Sequence, residues 1–148
     1  MNKVDQAVLT FDDGYFCSQA ILTTFSDKLG IDKKTALKIS SVFGGGVART
    51  GDICGAVTGA LMVLGLKFAS EDANNPKEKE NITAIAKKFL DEFKERNNSL
   101  MCKELLDCDL NTQEGRTTFK ELNLRSTHCS KYIRDCAELI EKFYIELN

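Results

Sequence analysis

The residues with the widest chemical range in this sequence are its six cysteines, Cys17, Cys54, Cys102, Cys108, Cys129 and Cys136, accompanied by a single histidine, His128. A thiolate is at once a nucleophile, a redox group and a soft metal ligand, so this set points to thiol redox chemistry or to metal binding. Spacing narrows the motifs. No two cysteines form a Cys-x-x-Cys pair, which removes thioredoxin-type active sites, zinc ribbons and attached c-type haem as motif readings. Cys129 and Cys136 fall on one helix face but two turns, about 10.5 Å, apart. A disulfide needs Cα atoms within about 7 Å, so any bridge must join segments distant in sequence, and spacing leaves the pairing open.

Cys54 has the most suggestive surroundings. With Asp52 as helix cap, Cys54 falls in the first turn, where free backbone N–H groups and the helix dipole favour a thiolate. Arg49 is close enough in sequence to add positive charge. Gly44, Gly45, Gly46 and Gly51 let backbone approach a ligand or reacting sulfur closely. The triple glycine is no nucleotide loop, because it follows a helix and lacks the Gly-Lys-Ser/Thr ending. Cysteine is also among the most buried residue types, so Cys54 as a plain core residue stands as the competing reading. His128, beside Cys129, reads first as a cap neighbour and only second as a proton shuttle. Asp12 and Asp13 read as helix caps rather than catalytic acids.

The elements that must position these residues are helices. Ile82, Ile85, Ala86, Phe89, Leu90 and Phe93 form an apolar stripe at helical spacing, with Pro76 in the first turn. Cys129, Ile133, Cys136, Ile140, Phe143 and Leu147 form another at the C-terminus. Asp12 or Asp13 is expected to cap a helix holding Cys17, Ile21, Leu22, Phe25 and Leu29, ended by Gly30. Asp32 caps the next, from Lys33 to about Phe43. Asp52 restarts a helix from Ile53 to about Phe68, and shorter ones are expected at 99–106 and 112–122. Gly55 and Gly59 lie on one face and allow another helix, or a second copy in a homodimer, to come close. Nothing alternates convincingly, so the expectation is an all-α, single-domain bundle of about six to eight helices over residues 1–148.

Composition agrees. At 148 residues the chain is one domain's length, and 43% hydrophobic with 28% charged residues is ordinary for a globular protein. A net charge of −2 lacks the basic footprint of a nucleic-acid binder. The uncharged run Ile53 to Leu66 falls short of the ~20 residues of a membrane span, and the N-terminus lacks the apolar stretch of a secretory signal. The expected setting is therefore the reducing cytoplasm, where cysteine clusters are more often redox-active or metal-binding than permanently bridged.

The stretch Phe43-Gly-Gly-Gly-Val-Ala-Arg-Thr-Gly-Asp-Ile-Cys54-Gly-Ala-Val-Thr-Gly59-Ala-Leu-Met resembles the C_GCAxxG_C_C family, named for an early cysteine, a Gly/Cys/Ala/Gly motif and two later cysteines. The early cysteine matches Cys17 in Tyr15-Phe-Cys-Ser-Gln-Ala-Ile. The later pair matches Cys102, in Ser99-Leu-Met-Cys-Lys-Glu-Leu-Leu, and Cys129, in His128-Cys-Ser-Lys-Tyr-Ile. The literal Gly-Cys-Ala string is absent, because Ile53 precedes Cys54 and Gly55 separates it from Ala56. The resemblance spans about residues 13–145. It implies a helical protein of thiol redox chemistry and leaves Cys108 and Cys136 outside the motif.

Three functions follow as expectations. In the first, Cys54 attacks an oxidised substrate, Cys17 resolves the mixed disulfide, and Cys102 with Cys129 relays electrons from a partner protein or small thiol. In the second, Cys17, Cys54, Cys102 and Cys129 together ligate zinc or an iron–sulfur cluster. In the third, the cysteines only pack, within a non-catalytic helical interaction domain.

Overall fold

Apolar stripes at helical spacing, half of them begun by a polar cap, divide the chain into helices, and the structure, a computed structural model, describes residues 1–148 as eight α-helices with no strand. The all-α, single-domain expectation holds. The helices are α1 (Lys3–Asp12), α2 (Cys17–Ser26), α3 (Lys33–Ser40), α4 (Gly55–Phe68), α5 (Pro76–Asn97), α6 (Cys102–Leu106), α7 (Gln113–Glu121) and α8 (Ser130–Leu147). A π-helical turn, Arg125–Cys129, leads directly into α8. None of these helices is long and apolar enough to cross a membrane.

The starts of α3, α5 and α7 follow the sequence rules. Asp32 accepts from the Thr35 N–H at 2.7 Å, Asn75 from Lys77 and Glu78, and Thr112 from Gly115. Pro76 occupies the first turn of α5, where its missing N–H removes nothing. One core of 28 buried residues runs through the domain. α4 carries Val57, Ala60, Val63 and Leu64 into it, α5 carries Phe89 and Phe93, and α8 carries Ile133, Leu139, Ile140 and Phe143. Phe89 and Phe143 meet edge-to-face with centroids 5.7 Å apart.

Two expectations are corrected. Residues 3–12 form a helix of their own, burying Val4, Ala7 and Phe11, so Asp12 ends α1 and Asp13 is its C-cap. Neither aspartate caps the cysteine helix, which begins after Phe16, whose N–H donates to the Gln19 side chain at 3.0 Å. The Asp52 carboxylate accepts only from its neighbour, the Ile53 N–H, and α4 starts at Gly55 with Cys54 itself as N-cap. The close approach of another helix expected at Gly55 and Gly59 is present: this face packs within the chain against α2, and a Cβ at Gly59 would stand 2.9 Å from the Ser18 carbonyl oxygen.

Candidate functional site

Between the starts of α2, α4 and α6 and the π turn lies a cavity of about 130 Å³. Cys17, Cys54, Cys102 and Cys129 all line it, and Cys108 and Cys136 do not. All six are thiols. Cys17 is the first residue of α2, Cys54 the N-cap of α4, Cys102 the first residue of α6, and Cys129 the end of the π turn. Each of the four thus stands where a regular helix begins or is locally rewound.

Specific backbone pairings bring them together. The segments ahead of α4 and α6 meet as an isolated antiparallel bridge, Ile53 against Met101. Across it the Cys54 N–H donates to the Leu100 carbonyl at 2.8 Å, and the Cys102 N–H to the Asp52 carbonyl at 2.7 Å. Cys17 sits directly over Gly55, where any Cβ would collide with its Sγ, so glycine after Cys54 is a requirement of close approach. Cys129 arrives through the π turn, in which the Ser130 N–H donates to the Arg125 carbonyl five residues back.

The glycine loop is the most unusual piece. Gly45, Gly46, Val47, Ala48 and Arg49 all have φ between 52° and 72°, a left-handed turn five residues long. A left-handed residue other than glycine costs roughly 1–2 kcal/mol, so Val47, Ala48 and Arg49 are held there against their preference. The restraints are hydrogen bonds within the loop and one close approach across the fold. The Ala48 N–H donates to Val42, Gly51 to Gly45, and Asp52 to Gly46 at 2.8 Å. A Cβ on Gly46 would stand 2.6 Å from that of Cys102. The turn aims the Gly45 N–H at the Cys17 sulfur and carries the Arg49 guanidinium over the Phe16 ring, 5.3 Å from its centroid.

Arg125 and Tyr132 also line the cavity, outside the cysteine pattern. Arg125 stacks 3.7 Å from the Phe11 ring centroid and donates to the backbone carbonyls of Phe11 and, at 3.0 Å, Tyr15, tying the π turn to α1. Its position four residues before Cys129 was the available signal, since that interval shares a helix face. Tyr132 lies one turn on, its hydroxyl donating to the Leu105 carbonyl at 2.8 Å.

Burial governs the acidity of the thiols. It pushes Cys54 well above the ordinary thiol range, and the neighbouring Cys17 and Cys129 sulfurs add to this against the Ala56 and Val57 N–H groups. The expectation of an acidic Cys54 is therefore corrected. Its helix start is present, but desolvation outweighs it. Burial likewise raises Cys102, to about 12, and Cys129, where Arg125 pulls the other way. Cys17 is also raised by burial, but the backbone N–H groups of Gly45, Ser18 and Cys17 itself and the Arg125 charge all oppose the shift. It is the one cavity thiol for which both backbone amides and the Arg125 charge oppose burial, and it is only partly buried.

The remaining candidates fall outside. Cys136 is wholly buried in the α8 stripe, and half-buried Cys108 lies between Asp107 and Asp109, whose charges add to burial in raising it. His128 is absent from the cavity wall, its Nδ1 paired with the Thr127 hydroxyl at 2.8 Å. No three His, Cys, Asp or Glu side chains converge closely enough to hold a metal ion, so the zinc and iron–sulfur readings have no ligand set in this geometry.

No curated protein and no solved structure matches the chain. A family model does, over residues 15–143, and its description reads "Putative redox-active protein (C_GCAxxG_C_C)". That range contains all four cysteines of the cavity and nearly the whole domain, and the chain belongs to this C_GCAxxG_C_C family.

Proposed function

We propose that the chain is a thiol–disulfide redox protein in which the four-cysteine cavity moves electrons in pairs between a disulfide substrate and a thiol reductant, either a partner protein or a small thiol. One observation carries this reading: the four cysteines of the family pattern line a single cavity while the other two lie elsewhere. We assign the attack to Cys17 rather than Cys54, because the amides of Gly45, Ser18 and Cys17 and the Arg125 charge oppose its burial, whereas only the Ala56 and Val57 amides do so for Cys54. The Cys17 thiolate attacks the substrate R–S–S–R, forming a mixed disulfide and releasing one thiolate, which takes up a proton. The Cys54 thiol, giving up its proton, attacks Cys17 Sγ and releases the second thiol. The protein ends with one disulfide, and the substrate has taken two electrons and two protons. Cys102 and Cys129 then return the electrons by exchange and are reduced in turn by the external thiol. A resting dithiol suits a reducing compartment such as the cytoplasm.

Peptide mapping after differential alkylation tests the reading. Reduced protein treated with a small disulfide should yield a Cys17–Cys54 linked peptide first and a Cys102–Cys129 peptide on further oxidation, with Cys136 unpaired throughout. Six thiols that never pair under these conditions would refute it.

A further inference from the structure

Beside the cysteine cavity runs an open groove of about 550 Å³, sharing Arg49 and Arg125 with it. Arg116 and Lys120, from α7, complete four cations along its wall, and no carboxylate lines it. This is a local excess in a chain whose net charge is −2. It is also uncompensated. Of the five arginines in the sequence, Arg96 and Arg134 form ion pairs, and the other three, all unpaired, line this groove. Lys120 has no ion pair either.

The guanidiniums are held by neutral groups. Arg116 donates to the Leu110 carbonyl at 2.9 Å, Arg125 to two backbone carbonyls, and Arg49 rests on an aromatic ring. Such contacts fix the groups and leave their charge free for a ligand, and a guanidinium fork matches a carboxylate in shape. The small cavity admits little more than a sulfur and its neighbouring methylenes, whereas the groove holds the rest of a small molecule.

Resting on the function proposed above, we infer that the substrate is a low-molecular-weight disulfide bearing several carboxylates, seated with its sulfurs in the cysteine cavity and its carboxylates along Arg49, Arg116, Lys120 and Arg125. The exchange is the one already written: two protein thiols become a disulfide and the substrate leaves as two thiols.

The test is a charge series on one short disulfide skeleton, 3,3′-dithiodipropionate (−2), bis(2-hydroxyethyl) disulfide (0) and cystamine (+2), with the rate of thiol loss from the reduced full chain followed by stopped flow and intact mass. Dithiodipropionate should react fastest, roughly tenfold or more ahead of cystamine at low ionic strength, with the gap closing as salt is added. Lys120→Gln and Arg116→Gln should each drive the ratio of those two rates toward one. Lys120 is exposed and bonds to nothing that shapes the fold, so its variant remains informative if the α7 arginine proves structural. Equal rates across the series would overturn the inference while leaving the redox reading intact, and failure of all three disulfides to oxidise the thiols would overturn both. Stronger protection of the thiols by inorganic phosphate than by succinate, or by polyglutamate than by either at equal charge, would also overturn it, in favour of a phosphate-bearing disulfide or an acidic protein.

Discussion

Cys136 and Cys54 are both buried cysteines that burial holds protonated, and they stand in opposite surroundings in this molecule. Cys136 stands in the middle of α8, on a stripe with Ile133, Ile140 and Phe143, and behaves as a small apolar side chain. Cys54 stands where α4 begins, on a backbone held by a bridge to the next cysteine segment, and faces a cavity shared with three other thiols. The same contrast divides the whole domain. The α5–α8 side is built of regular helix, aromatic packing and surface ion pairs such as Lys142–Glu92. The cysteine side collects the left-handed turn, the π turn and the isolated bridge. Residue type does not separate the core cysteine from the cavity cysteines here, and backbone irregularity does.

The contrast breaks most visibly in variants. Cys17→Ser should lower disulfide exchange to background, roughly a thousandfold, because a hydroxyl cannot form the mixed disulfide, with stability changed by about 1 kcal/mol or less. Cys136→Ser should do the reverse. It leaves exchange within about twofold and destabilises the fold by ~1–3 kcal/mol, since a hydroxyl in the apolar stripe loses its water. Stopped-flow exchange and denaturant titration of the two variants measure both effects. Exchange lost on changing Cys136 and kept on changing Cys17 would invert the assignment.

The thiols also make stability depend on pH. A thiol in the unfolded chain ionises near 8.5, and burial raises all six in the fold. Above that pH the unfolded state holds fewer protons than the folded one, so stability must fall as pH rises, by up to about 1.4 kcal/mol per pH unit for each thiol still protonated. Below it the contribution is fully present. Reduced protein should therefore unfold progressively more easily between about pH 8.5 and 11. Oxidation of one cavity pair removes two titrating thiols and should flatten this slope by about two protons, whereas Cys136→Ser should flatten it by about one. Urea midpoints against pH for the reduced, oxidised and C136S proteins provide the check, and identical slopes would mean that the cavity thiols ionise as freely in the fold as outside it.

The two sides of the molecule differed equally in how far they could be read from the sequence. The α5 and α8 stripes and the Asp32 cap lay in the chain as periodicity and polar residue types, because those elements are stabilised by local capping and by a face that any core would cover. α1 is also legible, since Asn2 accepts from the Asp5 N–H and Val4, Ala7 and Phe11 carry the helical spacing, but its short stripe is broken by polar Asp5, Gln6 and Thr10. On the cysteine side the local rules misled. Asp52 and Asp13 are better caps than Cys54 and Phe16 by type, but the long-range Cys54–Leu100 hydrogen bond and the Phe16 N–H to Gln19 contact set where α4 and α2 begin. The left-handed turn had no signal at all at Val47 or Ala48, since neither residue favours that conformation. The set of four cysteines was legible only through the family pattern, and their convergence came from bridges and close approaches that composition does not encode.

One substitution, made once on each side, sharpens the comparison at the smallest scale. Ala84 lies exposed in the regular helix α5, and Ala48 lies exposed in the left-handed turn at φ 52°. Neither side chain contributes to the core, so the backbone alone decides the outcome. Ala84→Gly should destabilise by about 1 kcal/mol, the usual helix penalty. Ala48→Gly removes a Cβ from a conformation that costs an alanine roughly 1–2 kcal/mol and gives back part of this in unfolded-chain entropy, for a net gain of about 0.5–1 kcal/mol. Paired denaturant titrations should place the two midpoints on opposite sides of the parent protein. A loss of stability at both sites would mean that residue 48 leaves the left-handed region in solution, and the amide of Gly45 would then have no fixed aim at Cys17.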